Sequence, residues 1–150
     1  MEMYRIAMTG LMSGAGMAMW SMMMKMVGLS KMDMVAYLGG LLTGKSSGMM
    51  SFMMGMLMHF VLSVLVAFVY FFALMNFMNM ITWQYGMLLG FVHWVVSGIM
   101  LPLVDAINSC VQSKKIPALG YFAQGYGAGA VLTFFIGHLL YGTMIGFILA

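Results

Sequence analysis

Apolar residues fill four long runs of this chain, Ile6 to Met24, Gly48 to Met75, Tyr85 to Val104 and Gly120 to Leu149, with short polar stretches between them. A helix needs about 20 residues to cross a hydrocarbon core of about 30 Å. The first and third runs match that length. The second and fourth exceed it, so they must tilt or extend into an interface. Segments such as Val64 to Val66 and Phe134 to Ile136 lack the period-two alternation of barrel strands. Backbone polar groups in lipid must bond internally, so helices are what remains. The pattern predicts an all-α, polytopic membrane protein: one domain over residues 1–150, with four transmembrane helices in a bundle.

The connection between the first two runs has its own pattern. Ser30-Lys31-Met32-Asp33 has the S-x-x-D form of a helix start, with Asp33 near the positive helix end. Met34, Val35, Leu38, Leu41 and Leu42 then share a face, with Tyr37 beside them. Asp33 to Leu42 therefore predicts a short amphipathic helix lying in the membrane interface, stopped by Thr43-Gly44. A weak tandem repeat of helical hairpins is also visible. Gly10-x-x-x-Gly14 with Trp20 echoes Gly86-x-x-x-Gly90 with Trp94, and each helix leads to an acid, Asp33 or Asp105. Pro102 is expected to bend the third helix just before Asp105.

Composition sharpens this picture. The chain is 64% hydrophobic and 6% charged, against roughly 45–50% and 25% in soluble domains. A mean hydropathy of +1.04 exceeds what a soluble core could hide. Six basic and three acidic residues are too few to argue for nucleic acid, and the basic ones read as topology markers. Lys25, Lys31 and Lys45 lie in the first connection and Lys114 and Lys115 in the third, against only Arg5, offset by Glu2, on the other side. Positive-inside places both basic loops in the cytoplasm and both termini outside a bacterial cytoplasmic membrane. Trp83, Tyr85 and Tyr121 suit interfacial anchors. The first run is followed by Lys25 and lacks an A-x-A cleavage pattern, so it reads as retained rather than as a signal peptide. The single cysteine, Cys110, excludes an internal disulfide or a multi-thiolate cluster and reads as a small loop residue.

Candidate chemistry centres on His59, His93 and His138, each within an apolar run. Ionisable groups at membrane depth need a partner or a function. Each histidine falls within about 5 Å of the midpoint of its span, at a rise of about 1.5 Å per residue. Each helix also carries a face of small and polar residues: Gly10, Ser13, Gly14, Met17 and Ser21 in the first, and Gly55, His59, Ser63, Ala67 and Tyr70 in the second. Gly86, Gly90, His93 and Ser97 form it in the third, and His138, Gly142, Gly146 and Ala150 in the fourth. Such faces turn inward together, because small residues let backbones approach and polar groups avoid lipid. The imidazoles then serve as interhelical glue, as a metal or haem site, or as part of a proton or substrate path.

Methionine is abundant, with 24 residues, 18 of them in the first 60 positions. Thioethers are soft ligands that suit Cu(I), and Met58 adjoins His59, although methionine is also a flexible space-filler. The candidate metal set is His59, His93, His138 and Met58, for copper. The candidate haem b ligands are His59 and His138. No hydrolytic triad, C-x-x-C-H, G-x-x-x-x-G-K-[ST] or H-E-x-x-H pattern occurs, so an enzyme is the weaker expectation. Asp33 and Asp105, at the cytoplasmic boundary, are expected to pair with Lys25, Lys31 or Lys114.

Short motifs along almost the whole chain resemble a family of small, uncharacterised four-helix bacterial inner-membrane proteins. They are Met8-Thr9-Gly10 with Gly14, Lys25 followed by Met32-Asp33-Met34, Gly55-x-x-x-His59-Phe60, Gly86-x-x-x-Gly90 with Pro102, and His138-x-x-x-Gly142-x-x-x-Gly146. The resemblance implies a fold and a location, and no activity comes with it. This chain departs from the family in its methionine load and in lacking a proline after Asp33. The leading expectation is a non-enzymatic accessory or assembly subunit of a larger membrane complex, in contact with lipid and with other subunits or a second copy. The alternatives are a metal- or haem-binding redox or metal-handling protein using the intramembrane histidines, and a small transporter with a path along the glycine-rich interior.

Overall fold

A computed structural model describes residues 3–150. Met1 and Glu2, and with them the expected offset of Arg5 by Glu2, lie outside the described residues. Every regular element among the described residues is helical: α1 (Met3–Met26), α2 (Met34–Thr43), α3 (Met49–Asn76), α4 (Trp83–Ile107), α5 (Ser109–Gln112), a short 3-10 segment (Tyr121–Tyr126) and α6 (Ala128–Leu149). By length and apolarity α3, α4 and α6 could each cross a membrane. The 24 residues of α1 match them in length, but small and polar residues such as Thr9, Gly10, Ser13 and Gly14 make it less apolar.

The long helices alternate in direction. Arg5 near the start of α1 donates to the Ile148 carbonyl at the end of α6 (3.0 Å), and Trp20 Nε1 donates to the Thr133 carbonyl (3.1 Å). Those two bonds run α1 antiparallel to α6. In turn α1 packs against α3, and α4 against α6, while α3 and α4 barely touch.

Glycine sets how closely these pairs approach. A Cβ on Gly86 would overlap the Gly142 carbonyl oxygen, and one on Gly90 the His138 carbonyl. A Cβ on Gly146 would likewise overlap the Thr82 carbonyl. On the other side Gly10 meets Ser63 and Ala67, and Gly14 meets Ser63. The two halves therefore repeat one register: Gly10 faces positions 63 and 67 as Gly86 faces 142 and 146. By the same register His59 matches His138, and Met17, one turn after Gly14, matches His93 one turn after Gly90. The two acids do not match, since Asp33 starts a short helix and Asp105 lies near the end of a long one.

The short helix forms at almost the expected bounds. Asp33 caps it, accepting from the Ala36 N–H (2.9 Å), and Gly44 ends it in the left-handed region at φ 67°. Ser30 is not the cap; its hydroxyl accepts from the Met32 N–H instead. Nor does α2 lie apart on an interface. Gly39 packs on the Ser51 backbone, Gly55 of α3 packs on the Val35 carbonyl, and Tyr37, Leu38, Gly39 and Gly40 are buried. The Gly39-Gly40 pair, poor for an isolated helix, is the surface by which α2 meets its neighbours.

The fourth apolar run is only partly helix. Gly120 to Gly127 forms a compact turn, with Phe122 (φ 53°) and Ala123 (φ 65°) in the left-handed region, and α6 begins at Ala128. Two consecutive non-glycine residues there cost about 1–2 kcal/mol each, so surrounding contacts must hold them. Phe122 fills the space beside Gly98 and stacks against Trp94, with ring centroids 4.7 Å apart. Asp105 holds the approach to the turn. Its carboxylate accepts from the Leu119 N–H (2.9 Å), the Gly120 N–H (2.8 Å) and the Tyr37 hydroxyl (2.7 Å). The expected lysine partner of Asp105 is thus replaced by three neutral donors, because the residue is buried where lysine heads do not reach. Cys110, expected as a small loop residue, is fully buried in α5, with Sγ against the Gly40 carbonyl. Asp33 does pair with Lys25, as expected.

Two predictions follow from this packing. Gly142→Leu and Gly146→Leu should destabilise the protein in detergent toward or beyond the upper end of about 1–3 kcal/mol, since backbone rather than side chain stands in the way. Val131→Leu, at a partly exposed position beside an open groove, should be milder, and equal unfolding midpoints for all three would contradict the packing. Asp105→Ala should cost more than Tyr37→Phe. The first change orphans three buried donors at about 1–3 kcal/mol each, while the second removes one bond.

Candidate functional site

Two apolar clusters fill the bundle. One, near the lysine-bearing end, includes Tyr37, Leu101, Leu119 and Phe134; the other includes Ile6, Leu74, Tyr141 and Ile145 toward the Arg5 end. Between them lies a cavity of about 310 Å³ lined by His59, His93 and His138 together. Three helices thus bring the three imidazoles to one chamber, at the level their depth in the sequence suggested. Met17, Met34 and Met100 line it too. Met58 does not; it packs against the first apolar cluster.

Each imidazole is fixed through one nitrogen. His59 Nε2 bonds the Gly14 carbonyl of α1 (3.0 Å), and His93 Nδ1 bonds the Tyr70 hydroxyl of α3 (3.2 Å). His138 Nδ1 bonds the Phe134 carbonyl one turn back in its own helix (2.8 Å). The other ring nitrogen of each has no hydrogen-bond partner among the described residues. The glue explanation therefore covers His59 and His93 but not His138, whose bond joins no helices. His138 is nevertheless the most buried of the three and packs edge-to-face on His93, with centroids 4.6 Å apart.

A second cavity of about 420 Å³ runs beside α1 toward the lysine-bearing end and shares Met17, Met34, His59 and Phe134 with the chamber. Its outer lining includes Lys25 and Asp33, and methionines 22, 26 and 32 stand along it. At that mouth, burial raises the Asp33 carboxyl, but the Lys25 ammonium and the Ala36 N–H outweigh burial and hold it below the usual carboxylate range. Nearby, burial and then the Asp105 carboxylate push the Tyr37 phenol well above its ordinary value, so it stays a donor. Toward the Arg5 end the chamber is closed by Tyr141, whose hydroxyl donates to the Ser63 carbonyl, and by the apolar cluster beyond. On the α3–α4 side its rim carries Leu62 and Met100, both exposed.

The glycine faces themselves leave no path, since Gly86, Gly90, Gly142 and Gly146 are taken up in backbone contact. Open volume lies instead among histidine, methionine and aromatic side chains. Among the described residues no three His, Cys, Asp or Glu side chains form a group that could hold a metal ion. A haem between His59 and His138 fits poorly, because His59 Nε2 is committed to Gly14 and the chamber is crossed by His93 and Phe134. Sequence reasoning put Met17 on the inward face of α1 without assigning it to the site, and it missed the vestibule. Met17 stands one turn beyond Gly14, as His93 stands one turn beyond Gly90. Comparison with protein-family models, curated proteins and solved structures returned no match.

The hydrogen bonds predict unequal costs for the histidines. His59→Ala should lose about 0.6 kcal/mol of stability, the average worth of an interhelical hydrogen bond in a membrane. In a double-mutant cycle with Tyr70→Phe, His93→Gln should show coupling and His138→Gln none. Strong coupling of His138 to Tyr70 would overturn this assignment.

Proposed function

We propose that the protein is a four-helix integral membrane protein of a bacterial cytoplasmic membrane, of the kind the motif resemblance implies, with α1 as the fourth span. Its job is non-enzymatic: it takes up a ligand at its lysine-bearing face and holds it among the intramembrane histidines, as a handling subunit serving a larger membrane assembly. Support for α1 as a span comes from its place between α3 and α6 and from the exposed methionines 8, 12, 19, 22 and 23 on its surface. Support for the orientation comes from the five lysines at one end, where Lys115 reaches the Gly44 carbonyl and Lys25 pairs with Asp33.

The observation that carries the functional reading is the chamber. Three histidines from three helices line one cavity, and a second cavity, which shares Met17, Met34, His59 and Phe134 with it, reaches Lys25 and Asp33. The space is bounded by α1, α3, α4 and α6 and is open on the α3–α4 side, where Leu62 and Met100 are exposed. A mostly apolar pocket with a few convergent polar groups is the usual form of a ligand site.

Accessibility tests this. In a Cys110→Ser background, Met17→Cys should react with a membrane-impermeant maleimide in inside-out vesicles and stay unlabelled in intact cells. Cysteines replacing Lys45 and Lys114 should behave alike, and one replacing Asn79 should label only from outside. A Met17 position reached from the outer face, or from neither, would overturn the one-sided chamber.

A further inference from the structure

The polar atoms of the chamber define what it can hold. Backbone carbonyls only accept, so His59 Nε2 and His138 Nδ1 carry the protons in the bonds to Gly14 and Phe134. No carboxylate lines the chamber to balance an imidazolium, so the rings are neutral, and His59 Nδ1 and His138 Nε2 keep unshared lone pairs. Among the described residues the Tyr70 hydroxyl bonds only His93 Nδ1, and a hydroxyl left undonated at this depth is costly. Tyr70 therefore donates, and the His93 proton sits on Nε2. Three lining hydroxyls already donate elsewhere: Tyr141 to the Ser63 carbonyl, Ser63 to the His59 carbonyl, and Tyr37 to Asp105. The chamber thus offers two nitrogen acceptors, with His93 Nε2–H and the Ser97 hydroxyl as donors.

A charged organic ligand would lie at membrane depth without a counter-charge, at a desolvation cost this lining does not offset. The imidazoles also do not gather on one point, since among the described residues they form no ion-sized group. Dispersed partners around a cavity of about 310 Å³ suit a molecule with extent. A cavity of about 150 Å³ holds benzene, so this one has room for a substituted aromatic ring. The rings of Phe134 and Tyr141 and the thioethers of Met17, Met34 and Met100 are favourable neighbours for such a ring. A single hydroxyl answers the polar atoms, because it donates to one group and accepts from another.

We propose that the chamber binds an uncharged phenol, whose hydroxyl lies between His93 and His138 and whose ring lies against Phe134 and the methionines. This rests on the reading of the chamber as a ligand-handling site. The hydroxyl donates to the His138 Nε2 lone pair and accepts from His93 Nε2–H, two rings whose centroids are 4.6 Å apart. Such a ligand gives His138, the most buried imidazole and the one that joins no helices, a partner across the chamber. Beyond Lys25 and Asp33 the vestibule is lined by methionines with Trp20, Phe52 and Phe134, an apolar route that suits an uncharged ring. On the α3–α4 side, the exposed Leu62 and Met100 leave room for an alkyl tail to reach lipid. The phenol is then either a small free molecule or the head of a lipid.

Nitrogen-15 NMR of histidine-labelled protein in mild detergent tests it. The chain has only three histidines, so single substitutions assign every ring signal. Without ligand, His138 should be protonated at Nδ1 and bare at Nε2. Adding 4-propylphenol should move the bare His138 nitrogen upfield, as a hydrogen bond to a lone pair does. Its methyl ether, 4-propylanisole, which has no proton to donate, should leave that signal in place. Followed through the His93 signals, 4-propylphenol binding should weaken about tenfold in His138→Phe, the effect of one hydrogen bond. Met58→Leu, outside the chamber, should bind as wild type does. A tailed probe, 4-pentadecylphenol, separates the two sources: binding that is lost in Leu62→Trp supports a lipid head, and exclusion of the tailed probe alone supports a free phenol. Equal shifts with phenol and ether, no shift with either, or a proton on His138 Nε2 would each overturn the proposal. In the Cys110→Ser background, labelling of Met17→Cys from the lysine side without a phenol shift would remove the phenol and leave the chamber standing; loss of that labelling would remove both.

Discussion

Close backbone approach at glycine is the constraint on which the rest of this structure depends. Lipid tails are as apolar as leucine, so burial alone gives helices little reason to associate in a membrane. Association has to come from packing, and packing is tightest where a Cβ is missing. Gly86 and Gly90 of α4 rest on backbone atoms of α6, and Gly10 and Gly14 of α1 rest on α3. These contacts fix the axial register of each antiparallel pair. Register, in turn, gives His59 and His138 matching positions in the two pairs, and both line the same cavity.

The same close contacts explain why there is open space. Two tight pairs, α1 with α3 and α4 with α6, are joined mainly through α1 and α6, while α3 and α4 stay apart. A bundle closed on three sides and loose on the fourth leaves a chamber at its centre. Aromatic and aliphatic side chains seal the Arg5 end. At the lysine end the packing is polar and specific instead: Asp105 gathers α2, the turn after α5 and its own helix through three hydrogen bonds. That carboxylate stabilises a left-handed turn at Phe122 and Ala123 and keeps Tyr37 over the chamber's edge.

Within that frame the histidines divide by partner. His59 and His93 join helices, and His138 joins none, although a polar ring at membrane depth is costly to keep. All three line one chamber, beside a methionine-lined vestibule.

The sequence by itself determined the helical class, the limits of α2 and the inward faces of the long helices, because hydropathy and small-residue spacing are local signals. It also showed the histidines at similar depth, since helical rise converts position into height. Tertiary structure alone decided the rest. Nothing local marks Asp105 as an acceptor for Tyr37 and two backbone amides, because its partners are 14, 15 and 68 residues away. Small-residue spacing puts Met17 on the inward face of α1, but only the packing shows that it lines the chamber while Met58 fills a core. Nor does hydropathy show that the start of the fourth run leaves the helix at Gly120 to Gly127, where a buried carboxylate outweighs helix propensity. Depth and face are properties of one helix, whereas which side chains share a cavity depends on the rotation and register of four.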